Sequence, residues 1–129
     1  MMQKKILVVD DNEDLLELLE NYLMGSGWQV ALARSNRECW EQLTRIRPDV
    51  ILLDILLLEG SGLEIVRFLK RERSYRHIPI LAMTGLYARH EVNKCLQAGC
   101  RDVLLKPFNL VVLDQTLTSL RIERLNSNS

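Results

Sequence analysis

The sequence predicts an α/β domain in which one parallel sheet lies between two layers of helices. Three observations predict it. Short apolar runs alternate with amphipathic stretches along the whole chain. The runs are continuously apolar, as strands covered on both faces require. Gly and Pro punctuate the junctions. A chain of 129 residues holds one domain of ordinary size and buries roughly two-thirds of its unfolded surface, enough for a core without staples.

Each element has its own local reason. Ile6 to Val9 is a short apolar run and predicts the first strand. From Asn12 to Met24 the residues Leu15, Leu16, Leu18, Leu19, Tyr22 and Leu23 recur at helical spacing, and Gly25 and Gly27 stop that helix. Trp28 to Ala33 predicts the second strand. Ser35-Asn36-Arg37-Glu38 has the capping-box pattern, and Trp40, Leu43 and Ile46 then line one face up to Pro48. Val50 to Leu53 is the third strand. Gly60-Ser61-Gly62 breaks the chain before a helix bearing Leu63, Val66, Phe68 and Leu69.

Pro79 opens the fourth strand, Ile80 to Met83, and a helix around His90 to Ala98 closes at Gly99. Val103 to Leu105 is the fifth strand, stopped by Lys106-Pro107, and the last helix runs from about Asn109 to Leu125. Five strands alternating with five helices imply right-handed crossovers and a parallel sheet.

Composition excludes several classes of function. Seventeen basic and 17 acidic residues give zero net charge, against a protein that lives on nucleic acid, which needs a basic surplus. Cys39, Cys95 and Cys100 form no CxxC pair and read as reduced thiols of a cytoplasmic protein packed in its core. Lys4 and Lys5 precede only four apolar residues, short of the about 7–15 that a signal peptide needs. Val50 to Leu58 is broken by Asp54 and falls short of the ~18 residues of a spanning helix, so no membrane insertion is expected.

In a parallel α/β sheet, ligands gather beyond the carboxyl ends of the strands. Asp10 and Asp11 follow the first predicted strand, Asp54 the third, Thr84 the fourth and Lys106 the fifth. Parallel strands bring these ends to one edge. Carboxylate oxygens suit a hard cation such as Mg²⁺, which keeps waters for a phosphate to replace. A carboxylate is also a nucleophile toward phosphorus, and an ammonium and a hydroxyl can stabilise the transferred group. Taken singly, Asp10, Asp11 and Asn12 read as a helix cap, Thr84 as a turn residue and Lys106 as a solvated charge. Asp54 between two apolar runs resists such a reading, because an unpartnered carboxylate there is costly.

The segments Ile6-Leu-Val-Val-Asp-Asp-Asn12, Val50-Ile-Leu-Leu-Asp-Ile55, Ile80-Leu-Ala-Met-Thr-Gly85 and Lys106-Pro-Phe108 resemble the receiver domain of two-component response regulators. The resemblance spans essentially the whole chain, with a receiver domain over 1–125 and a polar tail over 126–129. It implies a flavodoxin-like three-layer sandwich with strand order 2-1-3-4-5. It also implies that Asp54 is the phosphoacceptor, that Asp11 binds magnesium (Mg2+) directly and Asp10 through water, and that the Leu56 backbone carbonyl is a further ligand. Thr84 and Lys106 would hold the phosphoryl oxygens, and Lys106–Pro107 would be cis.

The sequence departs from that family in four places. Leu58 stands where a proline is common, and only the second glycine of Gly60-Ser61-Gly62 matches the following loop, which predicts a more flexible loop. Val103 replaces the aromatic residue whose inward rotation is the usual output switch. Leu56 and Leu86 occupy positions that often carry polar side chains beside the path of attacking water. They predict a comparatively stable aspartyl phosphate, or they merely pack on the loops. Arg67, Lys70, Arg71, Arg73 and Arg76 are dense around the third helix and read as a solvated face. Tyr87, Leu110, Val111 and Val112 read as core, on the face that resembles the family's output surface.

The leading expectation is a signalling domain, not a turnover enzyme, that assists its own phosphorylation. Its donor would be a sensor histidine kinase or a histidine phosphotransfer protein, and its output an unnamed downstream protein, with no direct nucleic-acid binding. It would act alone or as a receiver cut from a larger regulator. The alternative is a phosphorylation-independent interaction module on the same fold. A flavin- or nucleotide-binding enzyme is disfavoured, since no Gly-rich phosphate loop follows the first strand.

Overall fold

A computed structural model describes residues 4–57, 60–85 and 90–127. The elements are β1 (Lys5–Val9), α1 (Glu13–Gly25), β2 (Gln29–Ala33), α2 (Asn36–Arg45), β3 (Val50–Asp54), β4 (Leu56–Leu57), β5 (Gly60–Ser61), α3 (Gly62–Arg71), β6 (Ile80–Gly85), α4 (Glu91–Ala98), β7 (Asp102–Lys106) and α5 (Leu110–Ser127). The main sheet is parallel throughout, in the order β2-β1-β3-β6-β7. Counted within that sheet alone, this is 2-1-3-4-5, the order the family resemblance implies.

Alternation along the strands divides the core into two layers. In β1, Leu7 and Val9 join one cluster while Ile6 and Val8 join the other. The first cluster lies under α2, α3 and α4, through Cys39, Leu43, Ile65, Val66, Leu69 and Cys95. The second lies under α1 and α5, through Leu16, Leu19, Leu23, Leu113, Leu117 and Leu120. Full burial of each large aliphatic side chain contributes about 1.5–3 kcal/mol, so both faces of the sheet stabilise the fold and hold its strand ends in register.

The helix ends follow their side chains. The Asn12 side chain accepts from Leu15 N at 3.0 Å and caps α1. Ser35 Oγ accepts from Glu38 N at 3.1 Å, while Glu38 Oε1 reaches Arg34 N at 3.0 Å, one residue before the reciprocal donor of a capping box. Ser61 Oγ caps α3 by accepting from Leu63 N at 3.1 Å. At the end of α4, Gly99 has φ 118°. Cys100 N donates to Cys95 O and Gly99 N to Leu96 O, the two bonds of a Schellman ending. The buried Cys95 and Cys100 form its C3 and C″ positions. All three thiols are free and buried, and burial pushes Cys39 and Cys100 up to about 12, which leaves them inert at neutral pH.

Several elements differ from the sequence expectation. Gly60-Ser61 is not a plain break: β4 and β5 pair antiparallel, Leu56 opposite Ser61 and Leu57 opposite Gly60. On α1 the core stripe is Leu16, Leu19 and Leu23, and Leu18 is exposed, because the helical period carries it off that face. Phe68 lies 37% exposed, packed edge-on against Trp40. Val111 and Val112 are exposed, since Leu113, Leu117 and Leu120 supply the buried stripe of α5. That helix runs to Ser127, two residues into the expected polar tail. Among the described residues no helix is long and apolar enough to cross a membrane.

Candidate functional site

Every strand of the main sheet except β2 delivers a polar residue to the same edge. Asp10 directly follows β1 and is held there by its own backbone, whose N–H donates to Ala33 O in β2 at 3.0 Å. Its side chain is fully buried. Oδ1 accepts from Asn12 N at 2.8 Å, and Oδ2 accepts from Lys106 Nζ at 2.6 Å. A buried carboxylate with both oxygens engaged is what its desolvation demands.

Asp54 is the last residue of β3 and 5% exposed. Its Oδ1 accepts from Leu56 N at 3.0 Å, and its Oδ2 lies 3.4 Å from Lys106 Nζ. Burial raises the Asp54 carboxyl above its usual range; Lys106 opposes that shift and the Asp10 charge adds to it. For Lys106, burial alone would lower the ammonium, but the Asp10 hydrogen bond and the charges of Asp54 and Asp10 outweigh it and raise it. Lys106 ends β7 and precedes a cis bond to Pro107.

Asp11 completes the acidic group. One carboxylate oxygen from each of Asp10, Asp11 and Asp54 lies within 4.8 Å of the others. Three carboxylates against one ammonium leave an excess of negative charge on hard oxygen donors, a set that fits a divalent cation. Thr84 lies in β6, in register with Leu105 and one residue before the Gly85–Lys106 pair. It is fully buried, and Oγ1 has no hydrogen-bond partner among the described residues. A buried hydroxyl without a partner costs about 1–3 kcal/mol, so its fold position carries a price that an incoming acceptor would remove.

The structure thus brings Asp10, Asp11, Asp54 and Lys106 together, with Thr84 on the neighbouring strand end. The Leu56 N–H donates to Asp54 Oδ1, and the residue is 58% exposed. Leu58, Leu86 and Tyr87 lie outside the described residues. Val103 is half-buried and packs against the α2–α3–α4 core.

Gly62, read from the sequence as part of a chain break and as the one glycine matching the family's loop, is a positioning residue. A Cβ on it would lie 2.7 Å from Asp54 O and 3.0 Å from Ile55 Cα. Its N–H donates to Ile55 O at 2.8 Å. The start of α3 therefore rests directly on the backbone that carries Asp54, and only glycine allows that approach. The Gly-Ser-Gly run was the available signal, but it signifies a close contact as well as freedom of the chain.

Comparison with known proteins agrees with this geometry. The family model for the response regulator receiver domain matches residues 6–118. The polar-differentiation response regulator DivK of Brucella ovis is 33% identical over 118 residues, covering 92% of this chain and 96% of that protein. The signal receiver domain of a signal transduction histidine kinase from Syntrophus aciditrophicus superposes with a TM-score of 0.82 at 33% identity, over 91% of this chain and 89% of the other. The chemotaxis protein CheY4 of Vibrio cholerae gives a TM-score of 0.84 at 28% identity, over 92% and 98% of the two chains. With the receiver model covering most of its length and both layers of its core, the chain belongs to the response regulator receiver domain family.

Proposed function

We propose that this domain takes a phosphoryl group onto Asp54 and passes the change to a protein partner. The observation that carries the reading is the bridging of Asp10 and Asp54 by Lys106 within a cluster of three carboxylates. In the transfer, an Asp54 carboxylate oxygen forms the new P–O bond while the bond from phosphorus to the donor breaks and its electron pair leaves with the donor. A histidine kinase or histidine phosphotransfer protein is the donor class, with a P–N bond to break.

Asp10, Asp11 and Asp54 would hold Mg²⁺ together with the Leu56 backbone carbonyl. The cation would neutralise charge on the phosphoryl oxygens. Lys106 offers a second positive charge, and the Thr84 hydroxyl, without a partner among the described residues, offers a donor that phosphate oxygen can satisfy. Partner binding must differ between the two states for a signal to pass. The exposed Val111 and Val112 and the half-buried Val103 give an output surface without a swinging ring at that position.

Incubation with acetyl phosphate and Mg²⁺, read by intact mass, tests this. A phosphate-sized gain, lost in Asp54→Asn and lost on chelation, is expected. No gain, together with no beryllofluoride binding, would leave a phosphorylation-independent interaction module.

A further inference from the structure

Six of the described arginines form two contrasting sets. Arg34 pairs with Glu13 and Glu38, and Arg37 pairs with Glu41. By contrast, Arg45, Arg71, Arg73 and Arg76 are exposed, and among the described residues none of them pairs with a carboxylate. All four lie where α2 and α3 run out, at the end of the sheet where the strands begin. That is the pole opposite Asp54.

This pole has shape as well as charge. A groove of about 390 Å³ is lined by Leu43, Thr44, Arg45, Ile46, Arg47 and Tyr75. Arg47 is anchored by donating to Ser74 O at 3.5 Å. One helical turn before Thr44 stands Trp40, whose ring meets Phe68 of α3 edge-on at 4.8 Å between centroids. Arg71 follows Phe68 by three residues on the same side of α3. A half-buried Trp40 and a more exposed Phe68 thus adjoin a small concavity with two guanidinium groups, rimmed by further cations that outnumber the exposed Glu72. Aromatic and arginine side chains are the residue types that dominate binding energy at protein interfaces.

We propose that the C-terminal half of α2 and the α3–β6 segment dock an acidic polypeptide segment of a partner protein. A carboxylate of that segment enters the Arg45–Arg47–Tyr75 groove and an apolar residue covers Trp40 and Phe68. Charge complementarity selects acid. The small groove, part apolar through Leu43, Ile46 and Tyr75, suits a single side chain. A nucleic acid would instead need a long track of cations, and this chain has zero net charge.

The whole chain is titrated with a fluorescein-labelled synthetic peptide of glutamates around a central leucine pair, by anisotropy and by amide chemical shifts. The expected shifts cluster at Thr44–Arg47, Phe68 and Tyr75. The double variant Arg45→Glu/Arg47→Glu is expected to lose about tenfold in affinity, and Phe68→Ser weakens binding too. The same peptide with glutamine for glutamate does not bind. Phosphorylation by acetyl phosphate is unchanged in these surface variants, so this surface and the Asp54 reading stand or fall separately. Shifts elsewhere, an unaltered affinity in the double variant, or tighter binding of a DNA oligonucleotide at the same residues would overturn the proposal.

Discussion

The Lys106 ammonium lies 2.6 Å from Oδ2 of the fully buried Asp10. The pair joins the ends of β1 and β7, which are separated in the sheet by β3 and β6. It therefore reaches over the Asp54 strand end rather than along a neighbouring strand, and the second carboxylate contact, to Asp54 at 3.4 Å, falls beneath that span. Of the two carboxylates, Asp10 holds the ammonium more closely.

Removing the bridge leaves Asp10 buried without its counter-charge. Lys106→Ala is expected to cost on the order of 3 kcal/mol in a urea melt at neutral pH. The pH dependence has a definite sign. The folded-state Lys106 is raised above its ordinary value, so its stabilisation is complete below the ordinary lysine range and is lost as pH rises through the folded value. Wild type should lose stability in strong alkali by a step that the variant lacks. An unchanged neutral-pH melt would contradict the bridge.

Gly62→Ala places a methyl group 2.7 Å from Asp54 O. Alanine is the better helix former by up to ~1 kcal/mol, yet the clash is with backbone, which cannot swing away. A net loss of about 1–3 kcal/mol is expected, with slower phosphorylation because the Asp54 segment shifts. A gain in stability would show that α3 does not rest on that backbone.

Thr84→Val exchanges a buried hydroxyl, without a partner among the described residues, for a methyl group of similar shape. The variant should be about 1 kcal/mol more stable at unchanged m-value and slower to be phosphorylated. Lower stability would mean that the hydroxyl is satisfied in the free protein.

These effects mark where sequence reasoning stops. The alternation of elements was legible because each strand is covered on both faces, and the site was legible because parallel strands end together. Asp10, Asp11, Asp54 and Lys106 could be grouped from order alone. The role of Gly62 could not, since a close backbone approach depends on how α3 docks. The β4–β5 ladder was hidden because two-residue strands carry no periodicity. Val111 and Val112 were misread as core because an apolar residue one step off the buried stripe looks the same in sequence as one on it.

Leu56, 58% exposed and bonded through its backbone N–H to Asp54, has a side chain that offers no hydrogen bond to water. Leu56→Asn should therefore shorten the lifetime of the aspartyl phosphate, measured as loss of the phosphorylated mass after the donor is removed. An equal lifetime would show that the leucine does not shield the group.

The most direct measurement is the location of the phosphoryl group. After acetyl phosphate and Mg²⁺, borohydride reduction of the acyl phosphate followed by peptide sequencing by mass spectrometry identifies the modified carboxylate. Reduction at Asp54, with Asp10 and Asp11 unaltered, is the predicted result. Reduction at Asp10 or Asp11, or no reducible acyl group at all, would contradict it.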